Sequence, residues 1–180
     1  MYHGTNKTAL ASQKQITEAL YDLMQEKDYA DISVSEMCKQ AGVSRQTFYT
    51  LFQTKENVVV GYLADRIYMP EEGEQSDGIF SLEDFCLQFS RYLTRNKAFL
   101  ALLVDNGIAH LLCESMQSAM DECDFFLSHL EAADRQYITR FIASGFAGIA
   151  ITYVARGASD SEEMLKDKIR MLFRGEYVPQ

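Results

Sequence analysis

Arg45, Gln46, Thr47 and Tyr49 fall within little more than one helical turn, with Ser33 and Ser44 before them and Lys55 after. The set is rich in hydrogen-bond donors and poor in acids. A guanidinium, a carboxamide, hydroxyls and an ammonium at this spacing suit base edges and phosphates. To act together they need a rigid, exposed platform, and the neighbouring residues supply one. Ser33 and Glu36 have capping-box spacing, which starts a helix. Val34, Met37, Cys38 and Ala41 follow at i, i+3, i+4 and i+7, giving that helix one apolar face. Gly42 stops it, because glycine readily takes the left-handed conformation of a sharp exit. Ser44 then caps a second helix, in which Phe48 and Phe52 lie one turn apart and point inward. The arrangement is a helix-turn-helix, whose second helix enters the major groove by its first turn.

Residues 9–65 resemble the DNA-binding domain of the TetR family of bacterial transcription regulators. The resemblance is carried by Ile32-Ser33-Val34, Ala41-Gly42-Val43-Ser44, Thr47-Phe48-Tyr49, Phe52 and Lys55-Glu56. It implies an all-α fold, a three-helix head on a C-terminal helical bundle that holds an effector and the dimer contact. It also implies roles. Arg45 would bond guanine O6 and N7 together, and Gln46 would do the same for adenine. Thr47 would offer its methyl to thymine or its hydroxyl to phosphate. Tyr49 and Lys55 would hold the DNA backbone, Lys55 aided by the positive N-terminus of the fourth helix. Ser33 and Ser44 would cap helices and touch phosphate. Leu51 departs from the family's polar or aromatic habit there, so no contact is assigned to it. The implied protein is a cytoplasmic homodimer on a palindromic double-stranded operator, a ligand-responsive repressor. The alternative is an activator or co-regulator working through a protein partner.

Composition excludes several other classes. The chain has 180 residues, 47% hydrophobic, with eleven Phe, ten Tyr and two Pro, which fits packed helices better than disorder. There is no Gly-rich phosphate loop, no HExxH and no nucleophile elbow, and His3, His110 and His129 are scattered, so an enzyme is not expected. The N-terminus is polar, and the longest apolar run, Phe141 to Ala155, is short for a bilayer span, so no membrane partner is expected. Cys38, Cys86, Cys113 and Cys123 lie far apart without a CxxC, which suits buried small hydrophobes more than a redox thiol. His110 and Cys113 are three apart but lack further ligands nearby, so neither a metal nor another cofactor is expected.

Net charge is −9, unusual for a polyanion binder. The charge is unevenly placed. Residues 1–55 hold six Lys/Arg and six Asp/Glu, whereas the remainder holds eleven and twenty. A neutral head (1–55) on an acidic effector-binding and dimerisation body (56–180) is the reading, with weak non-specific DNA affinity.

The remaining pattern is helical. Ile16, Leu20, Leu23 and Met24 predict a first helix from Thr8 to Glu26, and Thr54 caps a fourth from Lys55 to Tyr68. Pro70, Gly73 and Gly78 make 69–80 a loop. Ser81 caps a helix bearing Leu82, Phe85, Cys86 and Phe89. Phe99 to Leu103 form a short helix, and a longer one runs from Ile108 to Leu130. Residues 135–156 are apolar nearly all round, and Ser159 with Glu162 caps a last helix. These two C-terminal helices suit a four-helix dimer interface, with Phe141, Gly145, Gly148, Ile149, Leu165, Ile169 and Leu172 as its contacts. The candidate effector-pocket residues are Phe85, Phe89, Tyr92, Phe99, Met116, Phe125 and Tyr153, each also consistent with plain core. The effector is a small molecule the sequence does not identify.

Overall fold

A computed structural model describes residues 5–64, 66, 81–123 and 127–176. The described residues form nine α-helices and one 3-10 turn, with no strand among them. Helices α1 (Lys7–Glu26), α2 (Val34–Ala41), α3 (Arg45–Leu51) and α4 (Lys55–Ala64) come first. The 3-10 turn, Tyr29–Asp31, joins α1 to α2. Helices α5 (Leu82–Arg95), α6 (Lys97–Asp105), α7 (His110–Glu122), α8 (Ala132–Ala155) and α9 (Glu162–Phe173) complete the chain.

Side chains satisfy the backbone N–H groups that helix starts leave open. Asn6 accepts from Thr8 N, and Ser33, Ser44 and Ser81 each accept from the N–H three residues on. Gly42 sits at φ 67, and Val43 N–H returns to Cys38 O while Gly42 N–H returns to Lys39 O. Those two bonds close α2 in a Schellman turn.

α1 packs across α2, α3 and α4. Ile16, Leu20, Met37, Phe48, Phe52, Val58 and Val59 are buried together in that head. In the body α5 packs on α9, α7 on α8, and α6 on α8, while α4 reaches down onto α7. The buried core therefore runs on from head to body.

Three expectations need correction. The helix expected from Ile108 to Leu130 ends at Glu122, where Cys123 turns extended. Arg135, at the start of α8, donates to the carbonyls of Met120 and Cys123, taking the acceptors that another helical turn would have used. The cap of α9 is Ser161, which accepts from Met164 N, and not Ser159, whose hydroxyl donates to Arg156 O. The 3.6-residue pattern does not separate two serines two positions apart. The capping box of α2 is half formed. Ser33 accepts from Glu36 N, but the Glu36 carboxylate pairs with Lys27 Nζ at 2.5 Å instead of returning to Ser33. The expected end of α4 at Tyr68 and the loop 69–80 lie outside the described residues.

Helix α8 is long and apolar enough to cross a bilayer by length and composition, with mean hydropathy 1.5 over its most apolar 18 residues. Here it is the body's longest described helix, one face buried on α6 and α7 through Ala143, Phe146, Ala147 and Ala150.

Candidate nucleic-acid interface

The exposed end of the head is built around α3. Phe48 (0% exposed), Leu51 and Phe52 anchor its inner face, so the opposite face must point out. Arg45, Gln46 and Tyr49 occupy that outer face, Tyr49 at 46% exposure. Arg45 and Gln46 make no side-chain hydrogen bond or ion pair among the described residues, so their donors are available to another molecule. The Tyr49 ring meets Phe48 edge-on at 5.4 Å, which fixes the phenol's direction while leaving its hydroxyl outside. Ser44 Oγ accepts from Thr47 N at 3.0 Å and lies 2.8 Å from Thr47 Oγ1. Both hydroxyls are thus partly engaged, and the Thr47 methyl is the freer group. Leu51 is buried, in keeping with its exclusion from the contact set.

Lys55 is placed otherwise than expected. Its ammonium donates to the carbonyls of Tyr29 at 2.7 Å and Ile32 at 2.9 Å, and stands 4.1 Å from the centre of the Tyr29 ring. Two of its three donors are held inside the head, so its main work there is to tie α4 to the α1–α2 turn. Next to it, the Tyr29 hydroxyl donates to Glu56 at 3.1 Å. Burial, then the neighbouring Glu56 carboxylate, holds the Tyr29 phenol above its ordinary range. For Glu56, burial pushes upward. Its own backbone N–H, the Tyr29 and Thr54 hydroxyls and Lys55 outweigh that, so the net shift is downward. The sequence gives no sign of this cluster, because its members lie 26 and 27 residues apart.

The aromatic residues considered for a pocket fall into two groups. Phe89 stacks on Phe146, Tyr92 meets Phe146 edge-on, and Phe85 packs against Phe89 and Phe173. Phe99 instead joins Tyr21 and Tyr62 where α1 and α4 meet the body. Met116 and Tyr153 are buried, and Phe125 lies outside the described residues. The buried Tyr92 hydroxyl has no hydrogen-bond partner among the described residues. A cleft of about 290 Å³ lies elsewhere, lined by Leu10 and Thr17 of α1, Tyr62 of α4 and Arg66 beyond it, among others.

Of the proposed dimer contacts, Phe141 (64%) and Leu172 (38%) are exposed, Gly148 is exposed, and Gly145 and Ile149 are half-buried. Leu165 and Ile169 are corrected: both are buried within the subunit, where α9 packs on α5. Tyr137 (80%), Met164 and Met171, outside the expected contact set, are exposed on the same two helices. Tyr137 stands one turn before Phe141, and that spacing was the available signal. Among the thiols, burial pushes Cys38 up and Cys86 up to about 11, so both are poor nucleophiles. No group of three or more potential metal ligands occurs among the described residues.

Residues 16–61 match the family described as bacterial regulatory proteins, tetR family. The HTH-type dhaKLM operon transcriptional activator DhaS of Lactococcus lactis is 27% identical over 160 residues, covering 85% of this chain and 84% of that protein. A solved structure titled dihydroxyacetone kinase operon activator DhaS covers 92% of this chain and 95% of its own, with TM-score 0.53. The HTH-type transcriptional regulator EthR of Mycobacterium tuberculosis is 46% identical over 46 residues, 26% of this chain and 21% of that protein. NalD, a repressor from Pseudomonas aeruginosa, shares the fold at TM-score 0.52 and 16% identity, over 91% of this chain and 96% of its own.

Proposed function

We propose that this chain, whose residues 16–61 match the tetR family of bacterial regulatory proteins, is a cytoplasmic dimeric repressor of a palindromic operator. The observation that carries this reading is the outer face of α3. Arg45, Gln46 and Tyr49 stand on a short helix whose inner face is locked by Phe48 and Leu51. That helix fits a major groove, and Arg45 at its first turn reaches base edges first. Thr47, Ser44 and Ser33 lie at the helix starts, where backbone N–H groups and hydroxyls receive phosphates. The head is taken to end at residue 55. The body, 56–180, carries the dimer contact on the exposed apolar face of α8 and α9. A body ligand that favours one head separation over another shifts DNA affinity.

Activation is the second reading, and the similarity to DhaS over most of both chains favours it, since that relative is named an activator. A reporter driven by the chain's own upstream region separates the two. Repression predicts higher reporter output when the regulator is deleted, and activation predicts lower output. DNase protection of that region by the purified dimer tests both. Protection of two half-sites one helical turn apart is expected, and absence of any protected palindrome refutes both.

A further inference from the structure

Tyr29, in the turn between α1 and α2, is 6% exposed and held on every polar atom it has. Its carbonyl takes Lys55 and its hydroxyl takes Glu56, both from the first turn of α4, where head passes into body. Its backbone N–H takes a different kind of partner. It donates at 2.6 Å to Oδ1 of Asn106, 77 residues away at the C-terminal cap of α6 in the body. That N–H opens a three-residue turn, so no helical carbonyl waits for it. If Asn106 withdraws, a half-buried donor is left unpaired.

Asn106 is itself fixed. Its Nδ2 donates to Leu102 O at 2.8 Å, and its backbone N–H goes to the same carbonyl at 3.1 Å. The carboxamide is therefore turned with its nitrogen toward α6 and its oxygen toward the head. Leu100 and Leu103 bury α6 in the body core, where it packs on α8. A shift of α6 by about 1 Å stretches a bond of this kind beyond useful geometry.

We propose that Asn106 is a positioning residue that sets the angle of the head on the body, and with it the distance between the two α3 helices of a dimer. The proposal rests on the operator-binding reading above. It adds that selectivity for half-site spacing is written in one side chain of α6, remote from DNA. Lys55 and Glu56 transmit the hold, since they fasten Tyr29 to the first turn of α4 and so make the turn and the start of α4 move as one piece.

The test uses the full-length protein and two variants, Asn106→Ala and Asn106→Asp. Aspartate keeps an acceptor for the Tyr29 N–H but gives up the Nδ2 bond to Leu102 O, so it restores the contact only in part. Amide hydrogen exchange is measured first, without DNA. The wild-type Tyr29 amide is expected to be protected, and Asn106→Ala to speed its exchange about five-fold, with Leu20 and Leu23 amides unchanged. A wild-type Tyr29 amide that exchanges like an open loop overturns the proposal, and needs no variant to fold. Affinity is then measured on duplexes carrying the protein's own half-sites at native spacing and with one or two base pairs inserted. The wild type discriminates among them. Asn106→Ala is expected to lose about five-fold of that discrimination and Asn106→Asp to restore part of it. A merely structural residue would lower affinity for every spacing alike. Unchanged discrimination in Asn106→Ala, or an equal loss of affinity at every spacing, overturns the proposal. If the wild type binds no palindromic duplex, the operator-binding reading fails, and Tyr29 exchange still judges the bond.

Discussion

Arg45 and Lys55 sit on the same small head, yet their surroundings assign them different work. Arg45 makes no hydrogen bond or ion pair among the described residues, so truncation should cost recognition and leave the fold alone. Arg45→Ala is expected to weaken operator binding by about 1–3 kcal/mol and relax preference at one base position, as a selection from randomised half-sites would record. Lys55 donates to the Tyr29 and Ile32 carbonyls, so its loss should be felt in the fold. Lys55→Met is expected to lower head stability by about 1–3 kcal/mol in denaturant unfolding. A salt slope flatter by about one unit at unchanged stability would instead return Lys55 to a phosphate. This contrast marks how far single residues were legible. The outward direction of Arg45 and Tyr49 follows from Phe48 and Phe52 at helical spacing. The hold on Lys55 does not, because its acceptors are backbone carbonyls 23 and 26 residues upstream, and a carbonyl carries no residue identity. Glu56 adds a pH signature. Its folded pKa is lowered, so its contribution is present above about 4.5, the ordinary value, and is lost as pH falls through the lower folded pKa. Glu56→Gln should flatten the acid limb of a stability-versus-pH curve.

The bounds expected for α1, Thr8 to Glu26, and the Ser81 cap expected for α5 agree with the structure to within a residue, whereas the Asn6 cap of α1 was not expected. The turn between α2 and α3 was equally plain, since Gly42 takes φ 67 and a Cβ there would meet nothing within 4 Å. Gly42→Ala should therefore cost about 1 kcal/mol, from backbone conformation alone and without a clash. A much larger loss in thermal unfolding would mean that the corner is tighter than it is here. Where a helix is ended by a distant element, local pattern fails. α7 stops because Arg135 of α8 takes its last carbonyls, so the apolar spacing that continues to Leu130 carries no helix at Cys123. On α9, periodicity found the apolar residues but not their partner. Leu165 and Ile169 face α5 inside the subunit, while Met164 and Met171 look out.

At the scale of the whole molecule, the acidic body and neutral head make a reader that relies on placement more than on charge. Two α3 helices must stand about 34–36 Å apart to meet successive grooves. The exposed stripe of Tyr137, Phe141 and Gly148 on α8, with Met164 and Met171 on α9, is where a second copy would fix that distance. Gly148 has no neighbour within 4 Å of an added Cβ, so Gly148→Leu should fold normally and fail to dimerise, as sedimentation would show by halving the mass. The most direct test of the central claim is methylation interference on the protein's own upstream DNA, with the wild type and Arg45→Ala side by side. Guanine N7 methylation, in the major groove, is expected to block wild-type binding at two symmetric positions about ten base pairs apart, and to lose that effect in the variant. Interference confined to adenine N3 in the minor groove, or the same N7 pattern in both proteins, would contradict it.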